Sequence, residues 1–255
     1  LLLIIFGGWL GVFFLTTLLS IVMVYEFSEM TLALPDRIEK RYALLVMAWF
    51  VGVVNLLIPQ MEFELFVFCF LIVFSYYLLT AWRHPDTDFE VHMRELAFSL
   101  FGILYLVFIP LFLPRIYESA YGLHWTMIFL FVNWAGDAGA YFVGKKYGRR
   151  KLYPRISPKK TVEGALGGLG CAFVVTLLYK AIFFRAMSWA GVPIVPILVG
   201  VFAQLGDFCE SFIKRAFNAK DSGSLLPGHG GLMDRFDGVV FSLPVMYFCV
   251  KLFGV

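Results

Sequence analysis

The chain has 255 residues, 60% of them hydrophobic and 15% charged, with a formal net charge of +3. Soluble globular domains carry about a quarter charged residues, so this composition excludes one and points to a polytopic membrane protein. So small a positive balance gives no reason to expect a nucleic acid as partner; where the charges fall is more informative than their sum.

In chain order, residues 1–6 read as the tail of an earlier span closed by the turn Gly7-Gly8-Trp9. The chain starts without Met, so its true beginning is expected to lie upstream. Apolar runs then recur near 10–27, 43–58, 62–82, 95–113, 122–144, 163–184, 189–212 and 239–254. Each is long enough to cross a hydrocarbon core as a helix. The expected fold is all-α, a polytopic transmembrane bundle of eight to nine spans forming one integral membrane catalytic domain over 1–255. The 29 Phe, 12 Tyr and 6 Trp supply lipid-facing bulk and interfacial anchors. Cys69, Cys171, Cys209 and Cys249 lie in or beside apolar runs without Cys-x-x-Cys pairing, so they read as small buried hydrophobes.

Charge fixes an expected orientation. The connections at 28–42, 83–94, 145–162 and 213–238 share one side and hold 3, 2, 8 and 4 Lys or Arg, 17 of the 21 in the chain. The positive-inside rule makes that side cytoplasmic.

Two of these connections carry candidate chemistry. The loop 145–162 follows a span bearing Asn133, Asp137 and Tyr141 and leads into Glu163, Gly164 and a run of small residues. Topology and anionic-lipid attraction account for Lys145, Lys146, Arg149 and Arg150. Ser157, Lys159, Lys160 and Thr161 are different: they crowd a helix start, where amide groups and cations together bind phosphate. Gly164 and Gly168 form a small-x-x-x-small pair suited to helix packing. Asp137 and Asp207 lie inside spans, where a carboxylate is costly and marks function. Asp207, Glu210, Ser211 and Lys214 recur at i, i+3, i+4 and i+7, a polar stripe that should face a cavity.

The second connection gathers Lys214, Arg215, Lys220, His229 and Arg235 as phosphate-binding cations. Asp221, Asp234 and Asp237 are oxygen donors suited to Mg²⁺. Gly223, Gly228, Gly230 and Gly231 let backbone approach a ligand. Metal-dependent phosphoryl or nucleotidyl transfer at the membrane surface is the chemistry these residues share.

The run Ser211-x-Ile213-Lys214-Arg215, then Lys220-Asp221-x-Gly223, then Leu226-Pro227-x-His229-Gly230-Gly231-x-x-Asp234-Arg235-x-Asp237 resembles the signature of phosphatidate cytidylyltransferases (CDP-diacylglycerol synthases). Asp137-Ala-Gly-Ala-Tyr141 and Ser157-Pro-Lys-Lys-Thr161-x-Glu163-Gly164 resemble that family's other recurrent stretches, with Ala138 where Thr is common. The resemblance implies a homodimeric inner-membrane enzyme with its site facing the cytoplasm. It would use CTP, phosphatidate and Mg²⁺, with room for a second, monovalent cation. Asp207, Lys214, Asp234 and Arg235 are the expected catalytic residues, and Asp207 and Asp234 the principal metal ligands, with Asp237 and Asp221 assisting. Asn133, Asp137, Ser157, Lys159, Lys160, Thr161, Glu163, Ser211, Arg215, Lys220 and His229 are the expected substrate contacts. A CTP-dependent polyprenol kinase is the nearest rival. A phospho-sugar transferase is disfavoured because no adjacent Asp-Asp pair is present, and an ion-coupled transporter gives the long polar loop no role.

Overall fold

The computed structural model describes residues 1–32, 37–223 and 230–254. Eight helices in it are long and apolar enough to cross a membrane: Gly8–Thr31, Arg37–Leu57, Glu62–Arg83, Phe89–Glu118, Gly122–Tyr147, Val162–Ile182, Gly191–Ala216 and Met233–Phe253. We number the helices α1 (Leu2–Phe6), α2 (Gly8–Thr31), α3 (Arg37–Leu57), α4 (Glu62–Arg83), α5 (Phe89–Ile103), α6 (Phe112–Glu118), α7 (Gly122–Tyr147), α8 (Val162–Ile182), α9 (Gly191–Ala216) and α10 (Met233–Phe253). The expected eight spans are all present, and α1 is the short helix ahead of them, ending at Gly7. Between α5 and α6 the helix loosens into a π turn at Leu104–Phe108 and tightens into a 3-10 turn at Ile109–Leu111. Pro110 explains this, because its ring cannot donate to the preceding turn and crowds it.

Several helices extend further than hydropathy alone predicts. Helix α3 begins at Arg37 and carries Lys40 inward, where the Lys40 ammonium pairs with the Glu95 carboxylate of α5 at 2.6 Å, both side chains almost wholly buried. Two opposite charges that satisfy one another can enter a helix that either alone would end. Asp88 caps α5, its side chain accepting the Glu90 amide at 3.1 Å.

The chain divides into two compact units: 1–12, 112–220 and 234–255 form one, and 13–111 with 221–233 the other. In the second unit the core lies among α2 to α5. Gly52 is seated against Thr17, Gly102 against the Phe27 ring, and Tyr77 bonds Ser99 at 2.8 Å. In the first unit α7 and α8 lie back to back on small residues. A Cβ at Gly164 would stand 2.8 Å from the Ala140 carbonyl oxygen, and one at Gly168 2.7 Å from that of Gly136. Glycine there lets backbones touch, which in lipid is the main source of helix association. Helices α9 and α10 meet the same way through Gly206 and Gly238. Gln204 of α9 donates to the Ala165 carbonyl of α8 at 3.0 Å.

One departure from the all-helical expectation is local. The loop 145–162 contains an antiparallel hairpin, β1 (Lys151–Tyr153) and β2 (Ser157–Thr161), with Lys151 opposite Thr161 and Tyr153 opposite Ser157. Ser157-Pro-Lys-Lys-Thr161 is therefore a strand leading to a helix rather than the turn around its start. Only Thr161 caps α8, its hydroxyl accepting the Gly164 amide at 3.1 Å.

Candidate active site

The first unit holds a cavity of about 410 Å³ between α7, α8, α9 and the hairpin. Helix α7 contributes Asn133, Gly136, Asp137, Tyr141 and Lys145; the hairpin contributes Lys159, Lys160 and Thr161; α9 contributes Gln204, Asp207 and Phe208. Along β2 Lys159 is exposed and Lys160 half-buried, and the ammonium of Lys160 pairs with the Asp207 carboxylate. Lys160 also lies 4.6 Å from the centre of the Phe208 ring. Asp137, across the cavity, is within electrostatic reach of both Asp207 and Lys160. The cavity is thus graded. From Lys145 to Val132 is thirteen residues of helix, roughly 20 Å of rise, and over that distance the lining passes from Lys145 through Asp137 to Gly136, Asn133 and Val132.

A second group of charges adjoins the first in the same unit. Glu210 is fully buried in α9, with the Lys214 ammonium one turn on at 3.4 Å from its carboxylate. Lys214 also pairs with Asp234 at the start of α10. Asp237 is one turn beyond Asp234 and accepts the Gly238 amide at 2.6 Å. It lies within electrostatic reach of Asp207 and Lys160 on one side and Glu210 on the other. Five carboxylates and two ammonium groups therefore form one connected array, Asp137, Lys160, Asp207, Asp237, Glu210, Lys214, Asp234. Such an array, opening on a cation-lined cavity, suits a polyanion that brings its own counter-cation.

With this geometry in place, comparison with known proteins decides the family. The model of the cytidylyltransferase family matches residues 1–253. The chain belongs to the cytidylyltransferase family. Among its relatives, the phosphatidate cytidylyltransferase of Bacillus subtilis (strain 168) is 38% identical over 193 residues, 76% of this chain and 70% of the relative. That of Staphylococcus saprophyticus is 36% identical over 205 residues, 76% and 75% of the two chains. That of Staphylococcus aureus (strain COL) is 35% identical over 206 residues, 77% and 75%.

A cytidylyltransferase is a nucleotidyltransferase, and the residues expected to serve one fall into three groups. Asn133, Asp137, Lys159, Lys160, Thr161 and Asp207 line the cavity. Lys214, Asp234 and Asp237 belong to the adjoining array. The others stand apart from the cavity lining. Ser157 starts β2 and Ser211 is half-buried in α9. Arg215, Lys220 and Arg235 are exposed, and Asp221 is exposed in the second unit. Glu163 accepts the amides of Arg149 at 3.0 Å and Arg150 at 3.2 Å, so its carboxylate closes the turn before β1 onto the start of α8. His229, with Leu226 and Pro227 of the same motif, lies outside the described residues.

Among the described residues no three carboxylate, imidazole or thiolate groups converge closely enough to enclose a metal by themselves. The donors present are all hard oxygens, and Mg²⁺ commonly takes one or two carboxylates, several waters and the substrate's phosphates. The residues fit that mode of binding.

Two lining residues carry a signal that the sequence reading passed over. Lys145, explained by topology alone, lines the cavity, its ammonium 5.7 Å from the centre of the Tyr141 ring. Gln204 lies one turn before Asp207, the spacing that should have placed it on the same face.

Proposed function

We propose that this cytidylyltransferase transfers CMP from CTP to phosphatidate, giving CDP-diacylglycerol and pyrophosphate. The observation that carries the proposal is the graded cavity: lysines at one end, Asp137 and Asp207 between, and Gly136, Asn133 and Val132 towards the other, set into apolar helices. The names of the relatives support the lipid acceptor, their bacterial sources support a place in the inner membrane, and the gathering of Lys and Arg in the connections on one side supports a charged end towards the cytoplasm.

In the proposed reaction an oxygen of the phosphatidate phosphate attacks the α-phosphorus of CTP. The bond to the bridging oxygen of the β-phosphate breaks, and pyrophosphate leaves with that electron pair. The nucleophile is already an anion, so no side chain need remove a proton from it. The protein's task is alignment and charge compensation, the dominant contributions in phosphoryl transfer. Lys159, Lys160 and Lys145 hold phosphate oxygens at the cavity mouth; Lys214, with Arg215, Lys220 and Arg235 nearby in sequence, offsets charge on the departing pyrophosphate. Asp207 and Asp234 would hold Mg²⁺, with Asp237 and Asp221 as further donors, and the ion supplies charge neutralisation of the triphosphate. Asp207 and Asp234 each face a lysine, which keeps carboxylate and ammonium apposed and ready to exchange partners with a metal–phosphate ligand. A homodimer, and a second, monovalent cation, remain part of the proposal on the family resemblance.

An acceptor panel tests this reading. Purified protein in detergent with CTP and Mg²⁺ should convert phosphatidate to CDP-diacylglycerol and leave diacylglycerol and polyprenol unreacted. Phosphorylation of either alcohol in place of that product would overturn it.

A further inference from the structure

A buried charge left unexplained by this site is Glu26, inside the apolar helix α2 and only 2% exposed. A carboxylate in such a place is costly unless hydrogen-bonded. Glu26 is satisfied by the polar segment that precedes α10. One carboxylate oxygen accepts the Leu232 amide at 2.9 Å, the other the Met233 amide at 2.9 Å, and the Ser222 hydroxyl stands 3.4 Å from the second. The Met233 amide belongs to the first residue of α10 and the Leu232 amide to the residue just before it, where the positive end of the helix favours an anion. Residues from both ends of the segment 222–233 thus meet on one side chain of a distant helix.

The same contact explains two glycines of the family signature. A Cβ at Gly223 would lie 2.8 Å from a Glu26 carboxylate oxygen, and its three nearest atoms are all Glu26's. One at Gly231 would collide first with the Ser222 hydroxyl and would lie 2.7 Å from the other Glu26 oxygen. Neither position has positive φ, whereas Gly230 does, at +80°. Gly223 is therefore glycine because the carboxylate occupies the space beside it, and Gly231 because the Ser222 hydroxyl and that carboxylate do, not because the backbone bends there.

We infer that Glu26 is a positioning residue for the transfer reaction. It ties the two ends of the signature segment together and fixes the start of α10, immediately before Asp234 in the chain. The inference rests on the cytidylyl-transfer reading for its consequence and on hydrogen bonds alone for its geometry. A glutamine at this position keeps one acceptor but turns an NH₂ group towards a backbone N–H, so one amide loses its partner.

The test pairs Glu26→Gln with Gly223→Ala, Glu26→Asp and the double variant Glu26→Asp/Gly223→Ala, each measured for kcat, KM, thermal unfolding and tryptic cleavage after Lys220. Glu26→Gln and Gly223→Ala should each lower kcat about tenfold, the rate equivalent of one hydrogen bond, with KM for CTP little changed. Glu26→Asp draws the carboxylate back and makes room, so the double variant should be faster than Gly223→Ala alone. Effects of the two substitutions that simply multiply, or kcat per folded molecule equal to wild type, would overturn the inference. The proteolysis arm does not depend on the reaction: Glu26→Gln should speed cleavage after Lys220, and an unchanged rate would overturn the inference even if the wild type made no CDP-diacylglycerol. Absence of that product in the wild type, with cleavage still accelerated, would count against the proposed reaction alone.

Discussion

Lys214 is where stability and catalysis can be separated. Its side chain is 14% exposed and stands between Glu210, which is fully buried, and Asp234, which is 15% exposed. Replacing it by Met keeps the length and removes the cation, leaving two carboxylates with no positive charge between them. Breaking a buried pair in this way costs about 3–5 kcal/mol. For a chain of this size each kcal/mol moves the unfolding midpoint by roughly 2–4 °C, so Lys214→Met should unfold roughly 6–20 °C below the wild type in detergent. Changing Glu210 to Gln in the same chain then removes one of the two carboxyl groups that the ammonium had faced. The double variant should therefore recover most of the lost midpoint. Turnover should not recover, because the ammonium facing Asp234 is still missing, and loss of one charge-stabilising donor costs about 100-fold or more in kcat. The assay is thermal unfolding alongside initial-rate kinetics on the same preparations. If the double variant regains activity in step with its stability, Lys214 only neutralises Glu210, and its catalytic role is refuted.

Three further outcomes follow from the cavity and the signature loop. Lys160→Ala removes the partner of Asp207 and should raise KM for CTP by about tenfold, whereas Arg149→Ala, whose contact to Glu163 is through its backbone, should leave kinetics near wild type; equal effects would reduce the hairpin to a topology signal. Gly136 and Gly170 both face open space, yet only Gly136 lines the cavity. Gly136→Leu should therefore weaken use of phosphatidate while Gly170→Leu does not, and matching kinetics in the two variants would remove the glycine-lined end from the substrate site. His229→Gln should retain measurable transfer, with the rate rising through the second ionisation of the lipid phosphate at a pH of about 6; complete loss would make the imidazole an obligatory base.

Much of this arrangement was legible because the bilayer leaves few options. Eight spans follow from apolar length, and Asp137 and Asp207 stood out because a carboxylate in such a run has to be accounted for. Asp234 and Asp237 were readable as one helix face once α10 was allowed to start early. What hydropathy could not show were contacts that cancel charge across long sequence separations. Lys40 and Glu95 are 55 residues apart, so the charged first turn of α3 looked like a loop. The hairpin was hidden for a different reason: strands of three and five residues rich in Lys carry too short a pattern to read. Glu26 was within reach of the rule that found Asp137, being a lone acid in an apolar run, but its partners are backbone amides some two hundred residues away, which leave no mark in the sequence.

The central claim, attack on the α-phosphorus of CTP by a lipid phosphate, is tested most directly by where a label goes. Purified protein in detergent with phosphatidate and Mg²⁺ is given CTP labelled at the α-phosphate or, separately, at the γ-phosphate. The account predicts labelled lipid from the α-position only, label from the γ-position appearing in pyrophosphate, and no labelled lipid in Asp207→Asn. Label passing from the γ-phosphate to a lipid would contradict it and identify a kinase.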